Sequence, residues 1–167
     1  IKRVMMIGFP MNQHRYMHFP GHFSLFHLDL ELRLTSFMKQ IGLEVIYKAH
    51  PDRMKEVKGI FERSVDAIKG GAFEKVYASC DAFVFAHTDT STFGIALCTN
   101  KPVIVIEIEG KPWRGNSYEM ISKRCRMVPA WLDEKCRILF DDQALKAALS
   151  EKIAKPDMDY IEKMMVP

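Results

Sequence analysis

Apolar residues recur along this chain in two alternating forms: short continuous blocks, and longer stretches spaced three and four apart. The first block, residues 2–9 (KRVMMIGF), suits a strand buried on both faces. An irregular connection over 10–23, punctuated by Pro and Gly, follows it. Residues 24–40 then carry Leu25, Leu28, Leu32, Phe37 and Met38 at helical spacing, and Gly42 follows the last turn, as a helix C-terminus often requires. LEVIYKAH (43–50) predicts a second strand. Residues 53–69, with Met54, Val57, Ile60, Phe61, Val65 and Ile68, predict an exposed amphipathic helix that ends at Gly70-Gly71. A short helix over 73–79 leads into a strand over 81–86, a hydroxyl-rich loop, and a helix over 92–99. Asn100-Lys101-Pro102 then turns the chain into a strand over 103–107. Further on, a helix is expected over 115–124, with short strands at 126–128 and 136–140. Asp141-Asp142 reads as the cap of a helix over 143–154, and a terminal helix is expected over 157–165. This alternation predicts an α/β fold, a doubly wound parallel sheet with right-handed crossovers and helices on both faces.

Composition narrows the class without choosing a function. A chain of 167 residues suggests one domain, 1–167, with a substantial core. The 48% hydrophobic and 27% charged content fits a globular chain rather than a disordered one. A net charge of +3 is too mild to argue for a nucleic-acid partner. The four cysteines, Cys80, Cys98, Cys125 and Cys136, lack paired spacing, and two fall in stretches read as buried, so reduced core thiols are expected. No apolar run approaches the ~18 residues of a membrane span and no signal-peptide pattern is visible, so a cytoplasmic setting is expected. The first residue is Ile rather than Met, which suggests a piece of something longer.

Candidate chemistry gathers at two predicted strand tips. His50-Pro51 directly follows the second strand; the proline stops the ladder and holds His50 extended, aiming its imidazole outward at the sheet edge. A histidine there can donate to a phosphate oxygen or carry charge near neutral pH, or simply cap the next helix. Lys48 shares the strand face with His50 by the two-residue period, adding a positive charge or pointing to solvent. The second tip carries Thr88, Asp89, Thr90, Ser91 and Thr92. An ordinary N-cap needs one hydroxyl; four in five positions also fit ligand binding at the start of the helix. Asp89 would oppose a phosphate unless it faces away. Both tips lie on the carboxyl-end edge of a parallel sheet, where such folds bind ligands.

Other features are less specific. His14, His18, His22 and His27 cluster in and beyond the first connection; Pro20 and Gly21 interrupt the helix that would pair two of them around a metal, leaving a polar lid or surface packing as the alternatives. No GxGxxG, GxxxxGK[ST] or GxSxG pattern is present, which argues against a dinucleotide fold, a P-loop enzyme and an α/β-hydrolase. Glu107 and Glu109 end a strand on the same edge and are candidates to meet a ribose, as Trp113 is to stack on a base; each is equally compatible with a structural role.

YKAHPDR at 47–53, followed by CDAFVF and DTSTFGIALCTNKPVIVIE within 80–107, resembles the C-terminal, donor-binding half of GT-B glycosyltransferases. It is most similar to bacterial surface-polysaccharide enzymes with an HP motif and a later Ser/Thr pair, namely sialyl- and Kdo-transferases and CDP-glycerol glycerophosphotransferases. The resemblance spans about residues 43–107. It implies a Rossmann-like nucleotide-sugar-binding domain in which His50-Pro51 and Thr90-Ser91 contact the nucleotide phosphate, with Thr92 adjacent and Lys48 as the Lys of a KxHP form. It implies no cofactor or metal, a CMP- or CDP-linked sugar or glycerol donor as substrate, and a polysaccharide or lipid-linked acceptor held by a second domain that also supplies the catalytic base. Such a protein would work in the cytoplasm, with peripheral attachment to the inner membrane through parts outside this chain. Two departures stand out: the helix residue corresponding to a ribose-binding Glu is Ile95, and the loop before Thr90 is about two residues longer than usual. A sugar-nucleotide 2-epimerase-like domain and a non-catalytic α/β interaction module are the alternatives.

Overall fold

A computed structural model describes residues 1–9, 24–111, 113, 115–151 and 156–158. Its strands are β1 (Arg3–Ile7), β2 (Glu44–Lys48), β3 (Ala67–Lys69), β4 (Ala82–Phe85), β5 (Val103–Ile108), β6 (Arg126–Leu132) and β7 (Ile138–Phe140). The helices are α1 (Ser24–Gln40), α2 (Met54–Phe61), α3 (Ser91–Leu97), α4 (Ser117–Arg124) and α5 (Asp142–Ser150). The strands form one sheet in the order β3-β2-β1-β4-β5-β6-β7. Neighbours pair in parallel up to β6, and β7 closes the edge antiparallel to β6.

The two-residue period of the strands sorts the core into two layers. Val4, Met6, Val45, Tyr47, Val84 and Ile104 point into one layer with Leu30, Leu34 and Met38 of α1, Phe61 of α2 and Leu145 of α5. Met5, Ile7, Ile46, Phe83, Phe85 and Val105 point into the other, with Phe93 and Leu97 of α3 and Ile121 of α4. Strands buried on both faces have no polar side, which is why β1 and β4 read as continuous apolar blocks. From β1 the chain winds outward through β2 to β3, then crosses to β4 and winds the other way. This is a doubly wound, Rossmann-like α/β sheet, and its order reverses between β1 and β4, the place where such sheets open a crevice at their carboxyl ends.

Several elements differ from the sequence expectation. The predicted helix over 53–69 stops at Phe61, and residues 67–69 become edge strand β3. Ser64 N donates to Phe61 O at 2.8 Å to turn the chain. Asp66 then exchanges two bonds with Val45, its N donating to Val45 O at 2.8 Å and its Oδ2 accepting from Val45 N at 2.7 Å. Val65 and Ile68 still reach the core, but from beyond the helix. The helix expected over 73–79 is two single 3₁₀ turns, Phe73–Lys75 and Tyr77–Ser79. Strand β6 continues past 128 through Pro129, whose carbonyl accepts from Asp141 N at 2.9 Å. Helix α5 begins at Asp142, capped by Asp141 Oδ1 accepting from Ala144 N at 2.9 Å, and ends at Ser150. Residues 157 and 158 are not helical; the rest of the expected terminal helix, like the 10–23 connection, lies outside the described residues.

In α1 the core-facing stripe is also offset from the one expected. Leu25 is exposed, and the fully buried positions are His27, Leu30, Glu31, Leu34, Thr35 and Met38. All four cysteines are free thiols; Cys80 and Cys125 are buried, and Cys98 and Cys136 are exposed. No helix among the described residues is long and apolar enough to cross a membrane.

Candidate functional site

The sheet reversal sets the tips of β1, β2 and β4 side by side, and a cleft of about 80 Å³ opens among them. Lys48, His50, Pro51, Thr90, Ser91 and Thr92 all line it, so the two polar segments singled out in the sequence meet in space. Gly8, just past β1, and His87, just past β4, complete its polar and backbone wall.

Local hydrogen bonding explains how each segment arrives. Ala49 N still donates to Lys69 O at 2.9 Å, but beyond it Pro51 has no N–H to extend the ladder. Pro51–Arg53 instead forms a 3₁₀ turn in which Arg53 N donates to His50 O at 2.9 Å, leaving His50 at the corner facing the cleft. Lys48 is buried rather than solvated; its Nζ donates to Ala49 O at 2.9 Å, and burial pulls its pKa down against the opposing pull of Glu74.

On the other side, Thr90 adopts an extended conformation (φ −141°, ψ 150°) and caps α3, its Oγ1 accepting from Phe93 N at 3.2 Å. Capping uses only the oxygen, so the Thr90 hydroxyl proton remains able to donate. The five-residue hydroxyl cluster divides here. Residues 90–92 line the cleft, whereas Thr88 Oγ1 accepts from Lys111 Nζ and Asp89, largely exposed, lies 3.7 Å from the same ammonium. The carboxylate that would have opposed a phosphate is thus turned toward a lysine beyond β5. Lys111 also sits 5.0 Å over the Trp113 ring, and burial pulls its pKa down.

A buried polar network behind the cleft was not anticipated from the sequence. Glu31 accepts from Phe9 N through Oε1, and its Oε2 accepts from Tyr47 Oη at 2.6 Å and from Arg53 Nη1 at 3.2 Å. Arg53 Nη1 also donates to Phe9 O at 2.6 Å. Burial pushes the Glu31 carboxyl up, opposed by the Arg53 guanidinium and the Tyr47 and Phe9 hydrogen bonds. The network ties α1, the end of β1, β2 and the His50-Pro51 corner into one frame. Its signals were an acid inside the apolar run LDLELRL and an arginine two residues past the His-Pro pair.

His87 was also missed; a lone histidine after the VFA of a strand carries no sequence pattern. It is 6% exposed and meets the Phe9 ring edge-on at 5.2 Å, while Phe9 stacks flat on His27 at 4.0 Å.

The remaining candidates go elsewhere. Glu107 and Glu109 line a separate open pocket of about 400 Å³ with Lys111 and Trp131, and Glu107 Oε2 accepts from Tyr118 Oη at 3.2 Å. Trp113 packs edge-on against Tyr118, with ring centroids 5.7 Å apart. Ile95 packs against the core beneath α3 and offers no polar group. His14, His18 and His22 lie outside the described residues, and among the described residues no group of three or more His, Cys, Asp or Glu could hold a metal ion.

No protein-family model matches the chain, and no curated protein matches it. A solved structure, that of MT0777, is similar over 98% of each chain, with a TM-score of 0.51 and 12% sequence identity. At that identity the likeness bears on the fold alone, and it agrees with the doubly wound sheet.

Proposed function

We propose that the cleft at the sheet reversal grips the phosphate of a nucleotide-activated donor, and that the chain is the donor-binding domain of a GT-B-type glycosyltransferase or glycerophosphotransferase of bacterial surface-polysaccharide synthesis. One observation carries this reading: Lys48 and His50 from one segment and Thr90, Ser91 and Thr92 from another, some forty residues away, line a single cleft. An ammonium, an imidazole and three hydroxyls can all donate to phosphate oxygens, and among the described residues no carboxylate lines that cleft. At about 80 Å³ it suits a phosphate-sized group rather than a whole nucleotide, since pockets that enclose drug-sized ligands run to roughly 300–1,000 Å³. The nucleoside and the transferred group would then lie outside it, across the strand tips.

In this reading the donors stabilise the leaving phosphate as its bond to the transferred group breaks, an electrostatic contribution that grows toward the transition state. The acceptor hydroxyl would be deprotonated by a group outside this chain, and the donor would be linked to CMP or CDP. Calorimetry with CMP and CDP tests the grip. His50→Ala should weaken binding about tenfold, the loss of a charge-assisted hydrogen bond. Equal affinity in the variant would remove His50 from the site.

A further inference from the structure

His87 has no role in the grip just described, yet it stands at the position where the sheet changes direction. It lines the cleft together with Lys48, His50 and Thr90–Thr92, and also lines a neighbouring cavity of about 10 Å³ with Thr88, Glu107, Lys111 and Trp113. Its Nδ1 is buried and has no hydrogen-bond partner among the described residues. Such an atom normally has a partner, because leaving one unmade costs about 1–3 kcal/mol. The ring packs edge-on against Phe9.

We infer that His87 contacts the anionic group of a bound ligand directly and gains a proton as that group enters. The surroundings supply the reason. The charged neighbours that act on His87 most strongly are cations or other imidazoles, namely His27 from α1, Lys111 beyond β5, and His50 and Arg53 beyond β2, while the Glu107 carboxylate also lines the neighbouring cavity. Burial, chiefly, and this positive field hold its pKa well below the usual histidine range, so the imidazole is neutral in the free protein. A phosphate arriving in the same cleft reverses the sign of the local field. The ring then takes a proton from solvent and donates both N–H groups, one of them to the anion. Lys48 lines the cleft and Lys111 the neighbouring cavity, and burial lowers the pKa of both.

This inference rests on the cleft holding a phosphate group, and calorimetry with CDP separates the two ideas. Titrations at pH 6.5 in buffers of different ionisation enthalpy count the protons taken up per CDP bound. The wild-type chain should take up more protons than His87→Gln, and the variant should bind CDP about tenfold or more weakly. The protonation of free CDP is common to both proteins, and that of bound CDP is followed separately by ³¹P NMR and subtracted. The wild-type measurement also stands alone: the His87 imidazole resonance, followed by NMR, should move to the protonated form on adding CDP, even if the variant fails to fold. If the wild type binds CDP while His87 stays neutral, or if His87→Gln takes up as many protons, the His87 inference falls and the phosphate grip survives. If CDP does not bind the wild type, both fall.

Discussion

Arg53 Nη1 and Glu31 Oε2 stand 3.2 Å apart with both side chains closed to solvent, directly behind the corner that carries His50. Neither charge can be left alone there. Arg53 also holds the Phe9 carbonyl, so the pair fixes the exit of β1 relative to the His50-Pro51 turn. Removing one member leaves the other buried and uncompensated, which typically costs about 3–5 kcal/mol. Arg53→Leu should therefore lower the urea midpoint sharply, and Glu31→Leu with Arg53→Leu should recover part of the loss. Additive losses in the double variant would show that the pair is not coupled.

Gly8 is predicted to accept no side chain. A Cβ there would fall 2.4 Å from Tyr47 Oη and 2.7 Å from its Cζ. Tyr47 cannot swing aside, because its ring stacks on Phe61 at 4.1 Å and its hydroxyl donates to Glu31. Gly8→Ala should cost about 1–3 kcal/mol of stability in denaturant titration, the range expected of overpacking. A variant as stable as the parent would mean that the β1 exit is looser than these contacts indicate.

Stability should fall in acid in two steps. His87 is held neutral by burial, so its contribution is fully present above about pH 6.5, the unfolded value, and is lost as pH falls toward its depressed native value. Asp81 accepts from Lys2 N at 2.8 Å and Arg3 N at 2.9 Å, and these bonds hold its pKa below the usual carboxylate range. Its contribution is present above about pH 4 and is lost on further acidification. Thermal melts should show His87→Gln flattening the first step and Asp81→Asn the second. A melting temperature that is constant between pH 7 and 5 in the parent would contradict the first assignment.

The thiols should divide two and two. Burial pushes Cys80 up to about 11 and Cys125 up to about 12, so neither forms a thiolate at neutral pH. A thiol-reactive dye should label Cys98 and Cys136 in the native protein, and Cys80 and Cys125 only on unfolding. Rapid native labelling of Cys125 would show that the face under α4 opens.

Strands β1, β2, β4 and β5 were legible because burial on both faces leaves an unbroken apolar run through each, Val4–Ile7, Val45–Tyr47, Ala82–Phe85 and Val103–Ile106. The fold class followed from their alternation with helices. Residues 53–69 misled because Val65 and Ile68 keep the helical spacing of Val57 and Phe61 while serving the core from a turn and an edge strand; the exchange between Asp66 and Val45 that decides this is a long-range pairing. Pro129 hid the full length of β6 for the opposite reason, since its missing N–H reads locally as a strand end. At the cleft, His50 and Thr90–Thr92 stood out through local turn and cap chemistry. His87, Glu31 and Arg53 did not, because their meaning lies entirely in what other segments place beside them.

The phosphate grip is tested most directly by titrating the ¹⁵N-labelled chain with CDP and, separately, with cytidine. CDP should shift the backbone amides of Gly8, His50, Thr90, Ser91 and Thr92 together along one saturation curve, and cytidine, which lacks the phosphates, should leave them in place. Saturating CDP shifts confined to residues around Glu109 and Trp131, or amides at positions 50 and 90–92 that never move, would contradict it.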